Sequence, residues 1–131
     1  MGPKELFRVV ALRKARPSPA EFRLREGETG LSLFAHREQP SPAQVIEAVR
    51  TAGKRGELKA AAVPAEAIRK LGLTLVQTRG GAASEEVNAI HYEARLPWWR
   101  WLAVRLRGGR PADYFNTQVS PQLCAMARLL D

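Results

Sequence analysis

The chain opens on an apolar run, Leu6 to Leu12, that is rich in β-branched residues and broken only by Arg8, which predicts a buried strand. Pro17, Ser18 and Pro19 mark Arg13 to Phe22 as a loop, and Gly27 to Gly30 form a turn before a short strand, Leu31 to Phe34. Ser41, Pro42, Ala43 and Gln44 then make an S-x-x-Q capping box with proline at the first helical position. Val45, Ile46, Val49 and Ala52 continue it as an apolar stripe ending at Gly53, so start, period and stop agree on a helix. Leu58 to Val63 reads as a strand, Pro64 to Leu71 as a short helix closed by Gly72, and Leu73 to Thr78 as another strand.

Arg79 to Glu86, with Gly80 and Gly81, reads as an exposed mobile loop. Val87 to Leu96 alternates, with Ile90, Tyr92, Ala94 and Leu96 on one face and His91, Glu93 and Arg95 on the other. Pro97 begins a helix through Arg107 that Gly108 and Gly109 end, and the i, i+3, i+4 spacing of Trp98, Trp101 and Leu102 predicts that this edge packs on the sheet. Ser120 and Pro121 open a last helix that directs Leu123, Ala127 and Leu130 to the core. The expected class is α/β (α+β): one compact domain over residues 1–131 with a flexible tail at 1–5. Its sheet is mixed, mostly antiparallel and of about four to six strands, with three or four short helices.

Composition narrows the context. A length of 131 residues is that of one domain. Cys124 is the sole cysteine, which excludes an internal disulfide, and its apolar neighbourhood marks it as a small buried hydrophobe. The polar start followed by a brief, Arg8-interrupted apolar run is unlike a signal peptide, and nothing approaches the roughly 18 apolar residues of a membrane span, so a soluble cytoplasmic protein is expected. The 21 Lys and Arg outnumber 13 Asp and Glu, and the formal charge of +8 points to an anionic partner: nucleic acid, a phosphate-bearing cofactor, a membrane surface or an acidic protein. An arginine-rich solvated surface has the same composition.

The motifs of common enzyme classes are missing: no Walker loop, G-x-G-x-x-G, C-x-x-C, H-E-x-x-H or G-x-S-x-G. His36 and His91 stand at no ligand spacing with the carboxylates, so no metal is expected. Arg8 lies within an apolar strand, where a guanidinium must pair, meet an anion at a cleft, or reach solvent from an edge. Ser32 places a hydroxyl between core positions, to satisfy local backbone or to face a ligand. Glu93 shares its strand face with His91 and Arg95, as part of an ion-pair row or of a site.

Leu6, Phe7 and Arg8, then Ser18 to Phe22 (SPAEF), Gly30 to Phe34 (GLSLF), Leu71 to Leu73 (LGL) and Ile90 to Glu93 (IHYE) resemble the Arg, Ser, Glu order of the ADP-ribosyltransferase superfamily. The likeness is to its small bacterial toxins, including type VI secreted ones, and covers roughly a quarter of the chain. It implies an NAD-binding transferase-like domain, a toxin or effector. Arg8 would attend the NAD phosphates, Ser32 and Tyr92 the nicotinamide ribose, and Glu93 with His91 the catalytic step at the ribose.

Two other readings stand beside it. A non-enzymatic basic module would bind RNA, DNA or an acidic partner protein through Arg95, Arg100, Arg105, Arg107 and Arg110, with a tryptophan as stacking face. Alternatively, PWWRWLAVRLR would lie in a membrane interface, since tryptophan beside arginine suits the headgroup layer.

Overall fold

A computed structural model describes residues 2–82 and 84–130. Six strands form one sheet in the order β4-β5-β2-β1-β3-β6, and each pairing is antiparallel. The strands are β1 (Glu5–Ala11), β2 (Leu31–Ala35), β3 (Leu58–Pro64), β4 (Thr74–Gln77), β5 (His91–Arg95) and β6 (Arg128–Leu130). Between them run α1 (Pro42–Thr51), α2 (Ala65–Lys70), α3 (Glu85–Ala89) and α4 (Trp98–Leu106). α5 (Pro111–Tyr114), a π-turn (Phe115–Val119) and α6 (Ser120–Met126) follow as one unbroken helical segment. The α+β class and the six-stranded sheet are as expected, but among the described residues every pairing is antiparallel and not mixed, and the helical segments α1 to α6 exceed the three or four anticipated.

β1 sits near the sheet centre and is covered on both faces, since Leu6 and Phe7, which point to opposite sides, are both fully buried. That is why it reads as a continuous apolar run and not as alternation. It pairs with β3 along its whole length, from Glu5↔Pro64 to Ala11↔Leu58. With β2 it pairs only at Leu6↔Ala35 and Phe7↔Phe34, while β2 stays joined to β5 from Leu31↔Ala94 to Phe34↔His91. Past Phe7 the seam between β1 and β2 therefore opens.

The capping box of α1 forms as expected: Ser41 Oγ accepts from the Gln44 N–H, and the Gln44 side chain accepts from the Ser41 N–H. α1 rests on β1 and β3 and buries Val45. α6 packs on a 3-10 turn (Pro19–Phe22), where buried Ser120 donates to the Phe22 carbonyl at 2.6 Å. Phe22, Phe115 and Leu123 join this lobe to the core.

Several local expectations are corrected. Lys4 and Glu5 do not belong to a flexible tail: the Ala65 N–H donates to the Lys4 carbonyl and Glu5 is already in β1. The strand expected from Val87 starts only at His91. Ser84 caps Val87 and bends the preceding residues into α3, within and just past the stretch read as an exposed loop. The last helix stops at Met126 and Arg128–Leu130 become β6, because β3 offers an edge that three residues can pair with. On α4 no residue is buried. Trp98 is 77% and Leu102 48% exposed, and only Trp101 meets the core.

The core and α4 should thus respond differently to truncation. Phe115→Ala is expected to cost about 3–5 kcal/mol in urea denaturation, whereas Trp98→Ser should stay within about 0.5 kcal/mol of the parent.

Candidate functional site

The open seam between β1 and β2 is floored by a cavity of about 280 Å³. Val9, Ser32, Phe34 and His91 line it from the sheet, Val49 and Ala52 from α1, and Gly80 to Ala82 with Asn88 from the far rim. Arg8, Arg25, Glu28 and Lys54 supply its charge.

Arg8 leaves its strand toward the seam. Its Nη1 donates to the Ser32 carbonyl at 2.9 Å and its Nε donates to the Glu21 carbonyl. The guanidinium takes the place of the missing ladder, satisfying a β2 carbonyl that β1 no longer reaches. Burial pushes its pKa down, and Glu21 and Glu28 oppose that shift; the intrinsic basicity of a guanidinium keeps it charged. Behind it, Lys54 Nζ donates to the Val9 carbonyl at 2.9 Å and to Glu21 Oε1 at 3.2 Å. Burial lowers the Lys54 pKa, reinforced by the Arg8 charge. Burial acts to raise the Glu21 pKa, yet the N–H of Ala11 at 2.9 Å and the Lys54 ammonium outweigh it, and the carboxylate is held below its usual value. The Arg25 side chain makes no hydrogen bond or ion pair among the described residues; the backbone N–H of Arg25 donates to Glu28 Oε1 at 2.6 Å.

His91 is 7% exposed. Its Nδ1 shares a 2.8 Å hydrogen bond with Thr78 Oγ1, its ring meets Phe34 edge-on at 5.4 Å, and the residue lines the cavity. Burial lowers its pKa against the pull of Glu93 and Thr78, which favours the neutral imidazole. Asn88 pins the rim by exchanging two 2.8 Å hydrogen bonds with the backbone of Ala82. Gly80 admits this packing, since a Cβ there would stand 2.9 Å from Asn88 Oδ1.

The residues singled out by sequence divide in space. Arg8, Ser32 and His91 line one cavity. Glu93 is the cross-strand partner of Ser32 and shares its face, but its Oε1 is held by Arg95 Nε at 2.9 Å and Nη2 at 2.8 Å, outside the cavity lining. Gly30 makes room for that pair, because a Cβ would approach Glu93 Oε1 and Arg95 Cγ to 2.8 Å. Tyr92 is on the opposite face, opposite Leu33 and Gln77. Of the arginines grouped as an anion patch, Arg95 is engaged with Glu93, Arg100 donates to the Tyr114 hydroxyl at 3.1 Å, and Arg105 and Arg110 border a second cavity with Glu26, Glu28 and Asp113. Arg107 ends α4. His36 pairs with Glu5 at 2.7 Å, and no group of metal-ligating side chains occurs among the described residues. Cys124 is half-buried, and burial raises its thiol pKa.

Arg25, Glu28, Lys54 and Asn88 were not singled out in advance. Lys54 and Arg25 are ordinary surface-type residues in sequence, and Asn88 fell inside an expected strand. Comparison of the chain with family models, curated proteins and solved structures gives no match.

Removing the Arg8 guanidinium with Arg8→Met should cost on the order of 1–3 kcal/mol in urea denaturation, because carbonyls of Glu21 and Ser32 lose their donors. For His91, the unfolded chain takes up a proton in acid that the folded chain resists. This residue's contribution is therefore undiminished above the unfolded pKa of about 6.5 and is lost as pH falls below it toward the folded value. His91→Gln should flatten the dependence of stability on pH between about 7 and 5.

Proposed function

We propose that this domain is a binding module whose β1/β2 cavity takes a small ligand bearing a phosphate or carboxylate on an apolar or sugar ring. The observation that carries this reading is the convergence of Arg8, Arg25 and Lys54 on a cavity floored by Phe34, Val49 and Ala52. Cations beside an apolar floor are complementary to such an anion, and their mutual repulsion is relieved when it binds. The neutral His91 adds a ring nitrogen for a hydroxyl or amide of the ligand. At about 280 Å³ the space is at the small end of ligand pockets, nearer a mononucleotide fragment than a dinucleotide.

NAD remains the second reading, favoured by the presence of Arg8, Ser32 and His91 in one cavity. Transfer chemistry would further require Glu93 to leave Arg95 and turn to the ribose.

Thermal denaturation with pyrophosphate, AMP, nicotinate and NAD at constant ionic strength tests the proposal. At 100 times its Kd a fitting probe adds about 2.7 kcal/mol, a shift of several degrees. Arg25→Ala should abolish the shift without unfolding the domain, since among the described residues its side chain makes no hydrogen bond or ion pair, and Glu93→Gln should leave the shift intact. If none of the four probes raises the Tm beyond a matched chloride control, the cavity reading is wrong; hydrolysis of NAD lost in Glu93→Gln would favour the transferase.

A further inference from the structure

α4 presents its apolar side to solvent. Trp98 is 77%, Trp99 52%, Leu102 48% and Leu106 78% exposed. At about 100° per residue, Trp98, Leu102 and Leu106 recur at i, i+4 and i+8 with Trp99 beside them, so they form one arc. Trp101, outside that arc, is the side chain that meets the core. The same helical wheel puts Arg105 on one flank of the arc and Arg100 and Arg107 on the other. From Leu96 to Ala112 there is no acidic residue, and Arg110 follows the helix.

We infer that α4 is an interfacial helix that docks the domain on an anionic lipid surface, lying in the headgroup layer without crossing it. An exposed strip of indole and leucine rimmed on both sides by guanidinium groups matches the layered chemistry of that interface, where apolar groups sink below the phosphates and cations stay among them. Nine residues are too few to span a bilayer, and no helix among the described residues is long and apolar enough to do so. A single-stranded nucleic acid is less well matched. Leu102 and Leu106 offer bases no stacking surface, and the Trp99 ring is already occupied by Arg100 at 4.8 Å. Tryptophans buried in the domain core would leave α4 nothing to insert; here the core needs only Trp101, so Trp98 is open to the interface and Trp99 reaches it with Arg100 stacked on its ring, a cation held at headgroup level.

Flotation with vesicles of phosphatidylcholine, alone or with about a third phosphatidylglycerol, reads this directly. The full chain should bind the anionic vesicles at least roughly tenfold more strongly, with tryptophan emission moving to the blue and being quenched by lipids brominated along the acyl chain. Leu102→Gln with Leu106→Gln should lose that binding and quenching at an unchanged Tm, which shows that the fold persists. Arg105→Glu should weaken binding to anionic vesicles only. Three results would overturn the inference: no vesicle binding, equal binding to neutral vesicles, or binding without acyl-chain quenching. An RNA oligonucleotide that binds while vesicles do not would assign the surface to nucleic acid instead.

Discussion

The guanidinium of Arg8 holds β1 and β2 together beyond the point where their pairing ends. β1 must be buried on both faces to anchor the sheet, yet its ladder with β2 ends after Phe7↔Phe34. A carbonyl left unpaired inside a protein is costly, and water alone would hydrate the seam and loosen it. Arg8 places fixed donors on Ser32 and on Glu21, so the sheet, the opened seam and the 3-10 turn carrying Glu21 are tied through one side chain. A lysine could not do the same, since its single nitrogen lacks the planar fork.

A cation placed there dictates its surroundings. The Glu21 carboxylate is not spent on Arg8 but on Lys54 and the Ala11 N–H, which keeps Lys54 beside the β1 backbone. The result is a half-buried cluster with more positive than negative groups around an apolar floor. Burial, reinforced by the Arg8 charge, lowers the Lys54 pKa, and the net positive field of such a cluster favours anions outside it. Stability and the proposed ligand binding therefore draw on the same charges, and the lowered His91 pKa disfavours a further positive charge there.

The α4 surface is organised by a different imbalance. α4 is joined to the core by one tryptophan while its broadest apolar arc faces outward. Arg100 stacks on Trp99 and bonds Tyr114, so the arginines also brace the helix against α5. The domain's basic charge is consequently of two kinds: a recessed cluster near β1 and an exposed fringe around an apolar strip.

The amino-acid order by itself determined α1, whose capping box, proline and Gly53 are local signals, and the strand faces of β5, whose period-two alternation needs no partner to be read. It also marked Arg8 as anomalous and Gly30 as a turn. Tertiary structure decided the rest, because the deciding quantities are distances between segments. Whether Arg8 met an anion, a carbonyl or water depended on where β2 diverged and where Glu21 came to lie. Whether Glu93 served a site depended on Arg95 two residues away, which the sequence displayed without its geometry. Residues Arg128–Leu130 became a strand because β3 offered them an edge, overriding the helix expected to run on from Ser120. The arc of α4 was legible as amphipathic, but helical periodicity gives the angle between side chains and not the direction of the core, and only packing turned Trp101 inward and Trp98 to solvent.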